Sequence, residues 1–179
     1  MLPPLRLVSK AAEFAAHRHT GEARKTRPDE PYINHLAEVA NILAEVTDGA
    51  DAELVAAGWL HDTVEDELAT VIELTAEFGD RIAALVDEVT DDMSLSQAKR
   101  RQKQVEDAPH KSSGAKLIKI ADKISNVCAR IHAHPSLEQR NELAAYTIWA
   151  ADVVAGCRGV NPKLDAKFDD AVKAAKSVL

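Results

Sequence analysis

The amino-acid sequence predicts an all-α domain. Apolar residues recur at helical spacing in segment after segment, and short turns divide those segments. Of the 179 residues 46% are hydrophobic, much of that Ala, Leu, Val and Ile, whereas aromatic residues make up only 4%. Few runs alternate β-branched with polar residues, so no strand is expected.

The elements follow in order. Leu7, Ala11, Phe14 and Ala15 mark a first helix over 5–19. The stretch TGEARKTRPDEP interrupts it with Gly21, Pro28 and Pro31 and reads as a loop. In INHLAEVANILAEV the residues Leu36, Val39, Ala40, Leu43 and Val46 form one apolar stripe, which predicts a second helix. TDGADAE is a turn that opens a third helix, expected to run through Asp66. A short fourth helix over 69–78 stops at Gly79, a good residue for a helix C-terminus, and DRIAALVDEVTDD makes a fifth. SLSQAKRRQKQVEDA is a polar, basic helix ended by Pro109. Ser112 or Ser113 can cap the next, AKLIKIADKISNVCARI, whose apolar stripe is Leu117, Ile120, Ile124, Val127 and Ile131. Two further helices are expected over 137–156 and 163–178. No repeat or linker divides the chain, so residues 1–179 are read as one domain. A chain this long buries roughly 70% of its unfolded surface and needs no disulfide or structural metal to fold.

The formal net charge is −7, which disfavours a nucleic-acid polymer as partner and leaves room for a small anionic substrate met by local positive charge. Cys128 and Cys157 match no metal or redox spacing, and no segment has the apolar length of a membrane span. A soluble, cytoplasmic protein is expected.

WLHDTVED places a histidine and three carboxylates in six residues. On a helix, at roughly 100° per residue, His61, Asp62, Glu65 and Asp66 fall within an arc of about 140°. Three ionised acids side by side repel one another, and a dication relieves the repulsion while accepting imidazole nitrogen and carboxylate oxygen together. The alternative is a solvated helix face with an ordinary surface histidine. Two more candidates stand elsewhere. His35 opens the second helix, where a capping or core role is the alternative. Asp122 lies at the border of an apolar stripe with Asn126 one turn on, where a surface acid flanked by lysines is the alternative.

His35, the pair His61–Asp62 and Asp122 resemble the H…HD…D signature of the HD-domain phosphohydrolases. The blocks PYINHLAEVA, AAGWLHDTVED, FGDRIAALVDEVTDD and KRRQKQVEDAPHKSSGAKLIKIADKISN are similar, in order and spacing, to those of the RelA/SpoT hydrolase domain. The short single-domain form, the metazoan SpoT homologue type, is similar in length, and the resemblance covers roughly 8–165. It implies a helical HD-domain bundle of about eight to ten helices. It further implies Mn²⁺-dependent hydrolysis of guanosine 3′,5′-bis(diphosphate) to GDP and pyrophosphate, the degradation of the stringent-response alarmone.

Carried over by position, His35, His61, Asp62 and Asp122 would be metal ligands, and Glu65 and Asp66 would position and activate the attacking water. Arg24, Lys25, Asn126 and Tyr146 would bind the nucleotide; for the two basic residues a solvated loop is the alternative, for Tyr146 core packing. Lys99, Arg100, Arg101 and Lys103 read as a solvated basic face. His17, His19, His110, His132 and His134 are left structural. Where some members carry lysines after VTDD, this chain has Met93 to Gln97, and where members often carry an arginine before the tyrosine it has Glu142. These departures concern the distal phosphates and keep open a related nucleotide, such as NADPH losing its ribose phosphate. A nucleotide sensor without turnover is the further alternative, disfavoured because Glu65 and Asp66 are both present. Oligomeric state is not legible in the sequence.

Overall fold

A computed structural model describes residues 2–131 and 135–179, so His132 and His134 lie outside the described residues. The chain is all-α: nine α-helices, one 3-10 turn and one short strand pair are found among the described residues. Contacts divide it into two compact units, one ending at Ser94 and the other spanning Leu95–Leu179.

In the first unit α1 (Pro4–Arg18) starts at a proline, whose fixed φ suits the first helical position, and buries Leu7, Ala11 and Ala15 at four-residue intervals. The expected loop contains a strand pair instead. β1 (Ala23–Arg24) and β2 (Arg27–Pro31) run antiparallel with an irregular register. Such a pair is too short for an alternating pattern to reveal it. α2 (Ile33–Val46) buries the predicted stripe of Leu36, Val39, Ala40, Leu43 and Val46, and His35 with it.

α3 (Ala52–Leu60) starts at Asp51, whose carboxylate accepts the Leu54 N–H at 3.0 Å. It is apolar nearly all round because α1, α2 and α5 pack against it. The helix ends at Leu60, not at Asp66. Thr63 Oγ1 and the Thr63 N–H both bond the Leu60 carbonyl, at 2.7 and 3.0 Å, and the Thr63 carbonyl accepts from Leu68 and Ala69 at 2.9 Å. A threonine that takes a helical carbonyl competes with helix continuation. Residues 61–67 are therefore a hydrogen-bonded turn, closed by Glu67 at φ 59°. α4 (Val71–Phe78) is capped by Thr70 and stops at Gly79, whose φ of 91° is cheap only for glycine. α5 (Asp80–Val89) follows at once.

Arg81 of α5 donates to both Asp51 oxygens, at 2.7 and 2.5 Å. Those bonds, led by the hydrogen bond itself, hold the Asp51 carboxyl below its usual range against the opposing effect of burial. A depressed folded-state pKa contributes stability above the unfolded value and loses it as pH falls through the folded one. Asp51→Asn keeps a capping acceptor but not the charge. Its melting temperature should fall less than the wild type's between pH 5 and pH 3, whereas Asp51→Ala should cost about 1 kcal/mol at neutral pH.

In the second unit α6 (Gln97–Asp107) buries none of its residues, as the basic run implies, and continues into the 3-10 turn Ala108–His110. α7 (Ser113–Ala129) is capped by Ser112 and packs against α8 (Leu137–Cys157) and α9 (Pro162–Lys176). Its burial extends beyond the predicted stripe. Leu117 is only half-buried, whereas Ile118, Lys119, Asp122, Lys123 and Ser125 are buried with Ile120, Ile124 and Val127.

Candidate metal centre

Two imidazoles of the first unit converge on one carboxylate oxygen. His35 comes from the first turn of α2, His61 from the C-cap of α3 and Asp62 from the turn after it. One ligand atom of each lies within 4.8 Å of the other two. Asp62 Oδ2 is 3.1 Å from His61 Nε2 and 3.4 Å from His35 Nε2, and it accepts the Tyr32 hydroxyl at 2.6 Å. The two imidazoles meet edge to face, their centroids 5.2 Å apart.

The donor set fits a divalent cation. His61 Nδ1 faces the Gly58 carbonyl at 2.8 Å, and a carbonyl only accepts, so the neutral ring carries its proton there. Its Nε2 lone pair then points at a carboxylate oxygen, and a cation between two acceptors is what that pairing favours. Burial by itself would raise the Asp62 carboxyl. When His61 and His35 are protonated instead, their charge and hydrogen bonds outweigh burial and hold that group well below the usual carboxylate range, so it is an anion at neutral pH.

Glu65 and Asp66 stand apart from that convergence, because the segment that carries them is a turn. Glu65 Oε2 accepts the Asp91 N–H at 3.1 Å, tying the turn to the segment after α5. Asp66 groups with His19 and Glu22, again with ligand atoms within 4.8 Å. Although it meets solvent, Asp66 is pushed up by partial burial, then by the Asp62 charge, with His19 partly offsetting both. The two aspartates are thus driven in opposite directions, the split expected of a permanent anion beside a group able to take a proton.

Among the remaining histidines, His17 and His110 are exposed, while His19 is buried and its Nδ1 is 2.8 Å from Glu22 Oε2. His19 therefore has a partner that its lone position in the sequence did not suggest; Glu22, three residues on, is the signal. A cleft of about 340 Å³ lies beside it, lined by His19, Glu22, Pro28 and Ile33 among others. Arg24 and Lys25, adjacent in sequence, differ in setting: Arg24 is buried and Lys25 exposed. Tyr32 was not singled out from the sequence, although its place three residues before His35 is where an α2 neighbour of that candidate ligand would stand.

Asp122, Asn126 and Tyr146 belong to the second unit and form their own polar cluster there. Asp122 accepts from Lys123 Nζ at 2.9 Å and from Asn126 Nδ2. Arg130 donates to the Asn126 carbonyl at 2.7 Å and stacks on Tyr146, its guanidinium 3.7 Å from the ring centroid. Tyr146 meets Trp149 edge to face, and Lys123 and Arg101 both lie over the Trp149 ring, at 4.5 and 5.0 Å. Arg101 thus brings one residue of the basic run onto an aromatic ring. Glu142 and Gln97 are exposed.

With a helical fold and a His–His–Asp centre, the class of protein is defined. The chain belongs to the HD domain family, whose model matches residues 11–160. Within that family the similarity is to small hydrolases of the RelA/SpoT type. Guanosine-3′,5′-bis(diphosphate) 3′-pyrophosphohydrolase MESH1 of Mus musculus is 43% identical over 156 residues, 87% of either chain. The Homo sapiens protein of the same name is 42% identical over the same shares. A solved structure of a metazoan ortholog of SpoT, described as hydrolyzing ppGpp with a role in starvation responses, superposes with a TM-score of 0.87. It shares 33% identity, and the match covers all of both chains. No helix among the described residues is long and apolar enough to cross a membrane.

Proposed function

We propose that this HD-domain hydrolase removes pyrophosphate from guanosine 3′,5′-bis(diphosphate), leaving GDP, with Mn²⁺ as its metal. The convergence of His35, His61 and Asp62 carries the reading, and the names of the relatives supply the substrate. Mixed imidazole and carboxylate ligation suits Mn²⁺ and leaves positions open. His35, His61 and Asp62 would hold the ion, with Asp122 as a further ligand. The roles of Asp122, Asn126 and Tyr146 rest on the resemblance of their sequence segments. When bound, the metal supplies an acidified water and polarises a phosphoryl oxygen.

The chain's own residues do the rest. Glu65 and Asp66, neighbours on the same turn, would position the attacking water and take its proton; the Asp66 carboxyl is raised by partial burial and by the Asp62 charge. Lys25 and Arg24 would meet substrate phosphates, Lys25 as an exposed point charge. Asn126 and Tyr146 would contact the nucleotide. Residues 1–179 act together as one hydrolase domain in this reading. It acts in the cytoplasm, where free thiols such as those of Cys128 and Cys157 persist, and in degrading the stringent-response alarmone.

Tyr32 should matter through Asp62. Tyr32→Phe removes the donor that orients Oδ2, and Mn²⁺ affinity measured by titration calorimetry should fall about tenfold, a usual cost of losing such a partner. The function itself is tested with purified protein and a substrate panel that includes NADPH. Release of pyrophosphate from guanosine 3′,5′-bis(diphosphate) with Mn²⁺, stopped by chelator, is the expected result. Preferential release of phosphate from NADPH would move the substrate, a change that Glu142 and Gln97 at family-divergent positions make worth measuring. Binding without turnover of either would make the chain a sensor.

A further inference from the structure

Arg101 is positioned by an aromatic ring. Its carbonyl accepts the Trp149 indole N–H at 3.1 Å, and its guanidinium lies over the same ring, 5.0 Å from the centroid. One tryptophan of α8 thus fixes both the backbone and the head group of a residue on α6. Several other cations that lie over rings also pair with an acid. Lys10 over Phe78 bonds Glu77 at 2.7 Å, and Lys123 over Trp149 bonds Asp122 at 2.9 Å. Arg18 over Phe14 pairs with Glu73, and Arg158 over Phe168 with Asp169. On α6 itself Lys103 pairs with Asp107 at 2.7 Å, and Arg100 donates to the Leu95 carbonyl at 2.7 Å. Among the described residues none accepts a hydrogen bond from the Arg101 guanidinium or forms an ion pair with it.

A ring face attracts a cation without neutralising it, so Arg101 keeps its charge and its fork of N–H donors. Half-buried and already placed, it loses less side-chain entropy when an anion arrives, and the fork matches two oxygens of a phosphate. Its location says which phosphate. Trp149 meets Tyr146 edge to face, 5.3 Å between centroids, and Tyr146 is a proposed nucleotide contact. The contacts that link Arg101 to Asp122 run through the indole and Lys123, so Arg101 stands apart from that candidate ligand and from the bond cleaved at the metal. Gln97, one turn earlier on α6, and Glu142, one turn before Tyr146 on α8, bring no positive charge. We infer that Arg101 binds the 5′-diphosphate, the end of the nucleotide away from the cleaved bond, and makes the enzyme sensitive to how many phosphates stand there. This rests on the reading that the chain cleaves guanosine 3′,5′-bis(diphosphate), with Asp122 at the metal and Tyr146 at the nucleotide.

The experiment uses the full chain at saturating Mn²⁺ and measures kcat and KM for two substrates. One is guanosine 3′,5′-bis(diphosphate); the other is guanosine 5′-monophosphate 3′-diphosphate, one phosphate shorter at the 5′ end. With R101Q, KM for the first should rise about 10- to 100-fold, the usual cost of losing hydrogen bonds between ions, with kcat changed far less. KM for the shorter substrate should rise much less, so that the preference of the wild type for the longer one is flattened. R101K, which keeps the charge and loses the fork, should recover part of the loss. K103Q removes the same charge from the same helix, but one already spent on Asp107, and should leave both KM values unchanged. An R101Q enzyme with wild-type KM overturns the inference. So does an equal rise for both substrates, or a rise in K103Q as large as in R101Q, which would make the effect one of general charge. Circular dichroism checks folding, and if R101Q does not fold, R101K carries the same comparison. The two levels separate in the wild type. If it cleaves neither nucleotide, the function reading fails and the inference with it; if it cleaves both and R101Q matches it, only the role of Arg101 fails.

Discussion

Asp62→Ala should abolish Mn²⁺ binding and reduce turnover about a thousandfold or more, since a bound metal contributes several kcal/mol to stabilising a phosphoryl-transfer transition state and each 1.4 kcal/mol is a factor of ten. The reason is geometric. Asp62 Oδ2 is the atom on which Tyr32, His35 and His61 converge, and its removal leaves two imidazoles and a phenol facing one another with no anion between them. Asp62→Asn is the sharper comparison, because it keeps an acceptor for the Tyr32 hydroxyl and loses only the charge. If charge is what holds the metal, both variants should be inactive, with similar circular dichroism. An Asn variant that keeps wild-type Mn²⁺ affinity in calorimetry would show that Asp62 serves the fold and not the ion.

Glu65→Gln should lower kcat by about 100- to 10,000-fold while leaving Mn²⁺ affinity within a few-fold of wild type, the range spanned by loss of a general base. Glu65 has two functions to separate. One oxygen accepts the Asp91 N–H and fastens the turn, a task that a glutamine carbonyl can perform. The other, proposed function is basicity, which glutamine lacks. Turnover and metal titration therefore move independently in this variant, in contrast to Asp62, where they move together. A Glu65→Gln enzyme with near-normal kcat would confine the residue to holding the turn and leave Asp66, whose carboxyl is already raised, as the proton acceptor.

Helix count and type were legible in the sequence because burial of one face writes a period into it. α2 shows this most directly: each predicted stripe residue from Leu36 to Val46 is buried. Termini marked by local chemistry were legible as well, such as Ser112 before α7 and Gly79 after α4. The end of α3 was not. Helical projection places His61, Asp62, Glu65 and Asp66 on one face, but Thr63 captures the Leu60 carbonyl and turns the chain. That competition depends on one side-chain rotamer, which residue spacing does not encode. The strand pair at 23–31 was hidden for a different reason: it is held by backbone bonds and by Arg24 and Arg27 reaching Glu30.

The sequence by itself determined the residue types of the centre and the helices that bring them in, since His35, His61 and Asp62 stand at fixed places relative to strong apolar periods. Tertiary structure alone decided their surroundings. It buried Arg24 between two glutamates, aimed the Tyr32 hydroxyl at Asp62 and drove Asp62 and Asp66 in opposite directions. The physical reason is that periodicity records which side of a helix leaves water, whereas the charge state of a carboxyl depends on which dipoles and ions stand within a few ångströms of it. Those neighbours come from distant parts of the chain and leave no repeating trace in it.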